Sequence, residues 1–187
     1  MAKTHLAFDD LLRSCLQQLA GDPHVCRWRA KERDWVNYFA HRYLLPSCLR
    51  KKVLLDAAQM TIEAAVPQPP GYSRSTVPRD LVLWRSPGDT CWDSDWNPIR
   101  HPFAVIEWKV HRPGYRNPGK AKEDIWMRTY CRWQQNVLGY AIEVDVSSNE
   151  SFELFCTKYF RGRVFEKWAS LSSASKARPI SSKTRNG

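Results

Sequence analysis

The chain has no apolar run long enough to cross a membrane, and none near its N-terminus that would serve as a secretory signal. It has no Cys-x-x-Cys pair. Its six cysteines, Cys15, Cys26, Cys48, Cys91, Cys131 and Cys156, stand at long, irregular separations. His24 precedes Cys26 by two residues, but no second pair completes a zinc site. The cysteines read as reduced, buried thiols of a cytoplasmic protein. Without a Gly-x-Gly-x-x-Gly fingerprint a dinucleotide site has no support, and without a Gly-x-Ser-x-Gly elbow neither has a serine hydrolase. Gly114 to Ala121 has the spacing of a phosphate-binding loop. Ala121, however, stands where Ser or Thr would hold magnesium, so the segment reads as a basic loop. There is no internal repeat. Acid is also scarce: 29 Lys and Arg face 19 Asp and Glu, a net charge of +10 on 187 residues. A basic surface rich in aromatics suits a polyanion, nucleic acid first.

What is present orders itself into one domain. Leu11, Leu12, Cys15, Leu16 and Leu19 form a helical stripe over Phe8 to Leu19, with Asp9 or Asp10 suited to its start. Val36, Phe39 and Tyr43 mark a second helix from Ala30, which Pro46 is expected to stop. Glu32 extends that apolar stripe back by one turn. Strands are expected over Met60–Val66, Asp80–Trp84 and Phe103–Val110, then a helix over Glu123–Asn136, then strands over Tyr140–Val146, Phe152–Tyr159 and Arg163–Trp168. This order predicts an α/β fold with a central mixed sheet flanked by helices over residues 1–168. Residues 1–27 are an N-terminal helical extension, and 169–187 a disordered basic tail.

The sharpest local feature is Glu107-Trp108-Lys109, at the end of Phe103-Ala104-Val105-Ile106. Alternation puts Glu107 and Lys109 on one face with Phe103 and Val105, and Ala104, Ile106, Trp108 and Val110 on the other. A carboxylate and an amine on a strand apolar on both faces are costly to bury unless they pair or bind something. Asp80 lies at the edge of the preceding strand. If the two strands are neighbours, Asp80 and Glu107 converge. A divalent cation would relieve their repulsion, and hard oxygen donors favour magnesium or manganese.

Pro78-Arg79-Asp80 followed by Glu107-Trp108-Lys109 on an apolar strand resembles the PD-(D/E)XK motif of the restriction-endonuclease-like nucleases. The helices before and after resemble the rest of that superfamily's α-β-β-β-α-β core, over roughly residues 28 to 160. The resemblance implies a magnesium- or manganese-dependent endonuclease acting on nucleic acid, with DNA the favoured substrate and two copies pairing to cut two strands. It implies Asp80 and Glu107 as metal ligands, Lys109 as the catalytic lysine and Glu32 as the helical acid that many members add. Glu63, on the strand before, is the alternative for that last place. The departure from the pattern is Arg79, which stands where the literal motif has Asp.

Around this centre, Arg128, Arg132 and Gln135 share a polar helix face and, with Lys120 and Lys122, are candidate phosphate contacts. Trp126, Tyr130, Trp133 and Val137 are expected on the core side. Trp92 and Trp96, among aspartates in the long loop from Ser86 to Pro102, are candidates for stacking on bases. His101 and His111 flank the central strand as candidate general bases. Two other classes fit the same sequence: a nucleic-acid-binding module without catalysis, and a protein-interaction module using the exposed tryptophans.

Overall fold

The computed structural model describes residues 2–25, 28, 30–113, 120–146 and 151–173. Six strands form one open sheet in chain order: β1 (Met60–Pro67), β2 (Thr76–Leu83), β3 (Ala104–His111), β4 (Leu138–Val146), β5 (Phe152–Phe160) and β6 (Arg163–Ser172). Neighbours are antiparallel except β3 and β4. That parallel pair needs a crossover, which helix α4 (Lys120–Trp133) supplies. Helices α1 (Ala2–Ala20), α2 (Glu32–Phe39) and α3 (Leu45–Arg50) lie on the opposite face from α4. The protein is thus an α/β domain with a six-stranded mixed sheet between helices. No helix among the described residues is long and apolar enough to cross a membrane.

The strand alternation explains the layers. Leu81, Leu83, Ile106, Trp108, Tyr140, Ile142 and Val144 face α1 to α3, while Val82, Val105 and Tyr159 face Trp126, Met127, Tyr130 and Cys131 of α4. Phe103 turns to the α1 side against Phe8, not to the Glu107 side as alternation suggests, because it precedes the strand. Helix α4 sits very close to β4. A Cβ on Gly139 would fall 2.5 Å from the Met127 Sδ, so only glycine fits there. Arg161 and Gly162 both have positive φ, 52° and 73°, which makes the tight two-residue turn between β5 and β6.

Several boundaries differ from the sequence expectation for identifiable reasons. Helix α1 begins well before Asp9, which is buried and accepts hydrogen bonds from Tyr140 (2.6 Å) and from Lys158. That contact and the Leu12, Leu16 and Leu19 stripe make α1 part of the main core. Pro46 does not end the second helix. Its missing N–H and bulky ring are absorbed by a π-turn at Ala40–Leu44, after which α3 continues with Pro46 in its first turn. Strand β2 begins at Thr76, before Pro78, because only β1 pairs with it there and the missing N–H leaves no ladder bond unmade. Helix α4 stops at Trp133, short of Asn136. Strand β6 runs to Ser172, so residues 169–172 of the expected tail belong to the sheet. The rest of that tail from 174, Cys26 and positions 114–119 of the basic loop lie outside the described residues. Cys15, Cys48, Cys91, Cys131 and Cys156 are buried free thiols.

Candidate active site

The site forms where β2 parts from β3. Their ladder covers only Leu81–Ile106, Val82–Val105 and Leu83–Ala104. Beyond it, two backbone N–H groups of β3 find carboxylates instead of strand carbonyls. Trp108 N–H donates to the Asp80 Oδ2 at 2.8 Å, and Val110 N–H donates to the Glu32 Oε2 at 3.1 Å. Such groups must be paired when buried, so the parting of the strands and the two acids explain each other.

A crease in β1 and β2 completes the geometry. Met60 and Ile62 face α1 to α3, but Ala64 and Val66 face α4. Between them Glu63 has φ 53°, the left-handed region that reverses the alternation. Ala64 pairs with Arg79 across the ladder, and the same reversal carries Arg79 to the α4 side. There its guanidinium lies 3.5 Å over the Trp126 ring and donates to the Glu107 Oε1 at 3.0 Å. Arg79 and Glu107 are both 7% exposed at the side chain.

Lys109 stands beside this pair. Its Nζ reaches the Glu32 Oε1 at 3.1 Å and the Glu123 Oε1 at 3.2 Å. Four of the expected residues are therefore brought together: Glu32, Asp80, Glu107 and Lys109. Two more join them. Glu123 was hidden because an acid in the first turn of a helix reads as ordinary dipole complement. Arg79 was visible only as a departure from a motif.

The electrostatics follow from burial. Burial pushes the Glu107 carboxyl up to about 8, assisted by the Asp80 charge and opposed by Arg79 and Lys109. Burial also raises Asp80, opposed by its hydrogen bond from Trp108, by Lys109 and by a hydrogen bond with Glu107. The two carboxyls are thus near enough for each to shift the other. Burial lowers Lys109, but Glu32 and Glu123 outweigh it and the ammonium is held charged. Burial raises Glu123, with Lys109 pulling it back. Four carboxylates against two cations leave two negative charges when all are ionised.

That residue of charge bears on a divalent cation. Magnesium is commonly held by one or two protein carboxylates, with water and substrate phosphate filling the remaining positions. Asp80 and Glu107 meet that description as adjacent hard-oxygen donors whose burial makes their anionic forms costly. No group of three or more His, Cys, Asp or Glu side chains is placed to hold a metal among the described residues. Arg79 is also set against a cation, since it already holds an oxygen of Glu107.

The chain matches no family model, no curated protein and no solved structure. Function has to be read from the side chains themselves.

The outer candidates are placed differently. A small cavity of about 230 Å³ opens on Asp80 and Glu32, lined also by Lys31, Arg33 and Glu63. Glu63 pairs with Arg33 at 3.4 Å, whereas Glu32 reaches Lys109 at 3.1 Å. Lys122 is exposed on the first turn of α4, next to Glu123. Lys120 begins that helix, and its side chain lies outside the described residues. Arg128 lines a separate cleft with Asp124, Glu143 and Asp145. Arg132 lies over Gly162 at the β5–β6 turn, and Gln135 falls in the turn after α4. None of these three is brought to Glu107. Trp133 is 39% exposed and packs edge-on against His101, whereas Trp126, Tyr130 and Val137 are buried as expected. His101 bonds to the Tyr130 hydroxyl (3.0 Å), and His111 faces Glu143 at 3.4 Å. Trp96 is 76% exposed and 6.2 Å from Trp92, in a loop that joins the far ends of β2 and β3 from the site.

Proposed function

We propose that this protein is a magnesium- or manganese-dependent nuclease of the PD-(D/E)XK type, with DNA as the first substrate to test. The observation that carries the proposal is the meeting of Asp80, Glu107, Lys109 and Glu32 where two sheet strands part. The run of α2, three antiparallel strands, α4 and a strand parallel to β3 supports a restriction-endonuclease-like core.

A divalent cation held by Asp80 and Glu107 would supply Lewis-acid chemistry, neutralising a phosphodiester oxygen and acidifying a bound water. The chain's own residues do the rest. Glu32 and Glu123 grip the Lys109 ammonium from two sides and fix its direction. From there Lys109 orients the attacking water and stabilises charge growing on the phosphate oxygens. Lys31 and Arg33, exposed at the mouth of the small cavity, draw the phosphate backbone toward Asp80. The net charge of +10 supplies the long-range attraction, and binding weakens steeply with salt.

The second reading is a binding module without catalysis on the same fold. The Arg79–Glu107 ion pair favours it, because a resident cation can substitute for a metal. A cleavage screen on plasmid, single-stranded DNA and RNA with millimolar magnesium or manganese separates the two. Cleavage by the wild type that Lys109→Ala abolishes supports the nuclease. Tight, salt-sensitive binding with no cleavage of any substrate supports the module.

A further inference from the structure

We propose that Arg79 is a built-in competitor of the divalent cation, a fixed guanidinium that holds the Glu107 carboxylate and keeps metal affinity low in the free protein. This rests on the metal-dependent reading above. The geometry is specific. Arg79 donates to the Glu107 Oε1 at 3.0 Å while its guanidinium carbon lies 3.5 Å over the Trp126 ring. The ring on one side and the carboxylate on the other leave the side chain 7% exposed. Its Nε is buried with no acceptor, so it is not held there by a complete set of hydrogen bonds. The Glu107 Oε1 and the face of Trp126 hold it. An arginine does not release its proton at any working pH, so this competitor is permanent.

A metal ion approaching Asp80 and Glu107 therefore meets a positive charge already seated on one of its two ligands. Like charges a few ångströms apart in a partly buried site oppose each other strongly even at an effective dielectric near 20. Lys109 adds less opposition, because Glu32 and Glu123 neutralise it from both sides. Among the described residues Arg79 forms its ion pair with Glu107, and the Glu123 carboxylate feels its charge from farther off.

The test is manganese titration by calorimetry at pH 8.5 on four full-length proteins: wild type, Arg79→Met, Arg79→Lys and Asp80→Asn. Arg79→Met removes the charge and keeps an apolar stem under Trp126. It is expected to bind manganese at least tenfold more tightly than wild type. Arg79→Lys keeps the charge and is expected to stay within about threefold of wild type. Asp80→Asn is expected to lose the site. Near-ultraviolet circular dichroism checks each fold, and Arg79→Gln replaces the methionine variant if that one does not fold. Equal affinities for wild type and Arg79→Met, with loss in Asp80→Asn, would overturn the competition and leave the metal site standing. Tightening by Arg79→Lys equal to that by Arg79→Met would also overturn it, since packing and not charge would then be the cause. No binding by any of the proteins would remove the metal reading and this proposal together.

Discussion

Replacing Glu107 by glutamine changes stability in a direction that depends on pH. Burial raises the carboxyl from its ordinary 4.5 to about 8, so the folded state favours the protonated form. The stabilising contribution of such a group is fully present below pH 4.5 and is lost as the pH rises through about 8. Each tenfold in proton affinity is about 1.4 kcal/mol, so wild type should lose up to about 4 kcal/mol from this group between pH 5 and pH 9. Water penetration into a polar cluster trims that toward about 2 kcal/mol. Glutamine has the shape of the protonated acid. Its oxygen accepts from Arg79, and it does not ionise. Urea unfolding with chelator present should find Glu107→Gln within about 1 kcal/mol of wild type at pH 5, and more stable by about 2–4 kcal/mol at pH 9. Equal destabilisation by Glu107→Gln at both pH values would refute this. It would mean that Glu107 is ionised throughout and that its value to the fold lies in the ion pair with Arg79.

Three further outcomes follow from the same contacts. Lys109→Ala should lower cleavage about 100-fold or more, by removing a charge-stabilising group, and should cost about 1–3 kcal/mol in thermal unfolding because Glu32 and Glu123 lose their cation. Asp80→Ala strands the Trp108 N–H and should cost about 1–3 kcal/mol, with hydrogen exchange at that amide accelerated; Asp80→Asn, which keeps an acceptor oxygen, should spare both. Gly139→Ala places a methyl 2.5 Å from the Met127 Sδ and 2.9 Å from the Cys131 Sγ, and thermal unfolding should show about 1–3 kcal/mol lost by overpacking.

How much of this could be read beforehand depends on the range of the interaction. The mixed sheet, the order of its strands and the helices on either side follow from periodicities of two and of 3.6, which are local. Glu107 and Lys109 stood out because charges are rare on a strand apolar on both faces. Asp80 and Glu32 followed from them. Glu123 did not, because its meaning depends on Lys109 reaching it from another element. Arg79 was not legible as a partner of Glu107 for a related reason. Alternation places it on the face of Leu81, away from Glu107, and the reversal at Glu63 that moves it across is a backbone event with no glycine to announce it. The polar face through Arg128, Arg132 and Gln135 had the right spacing, but α4 turns its Glu123 side to the site.

The two acids that take the β3 amides where β2 departs have a practical consequence. Asp80 and Glu32 act as rungs of the sheet as well as chemical groups. A silenced form of this protein made by deleting them would confuse lost chemistry with a loosened sheet. Among the described residues the Lys109 ammonium bonds to the side chains of Glu32 and Glu123, so it can be exchanged without removing an acceptor from a backbone amide. For the proposed nuclease, a variant meant to hold nucleic acid without cutting it is therefore best built at Lys109, with the acids left in place.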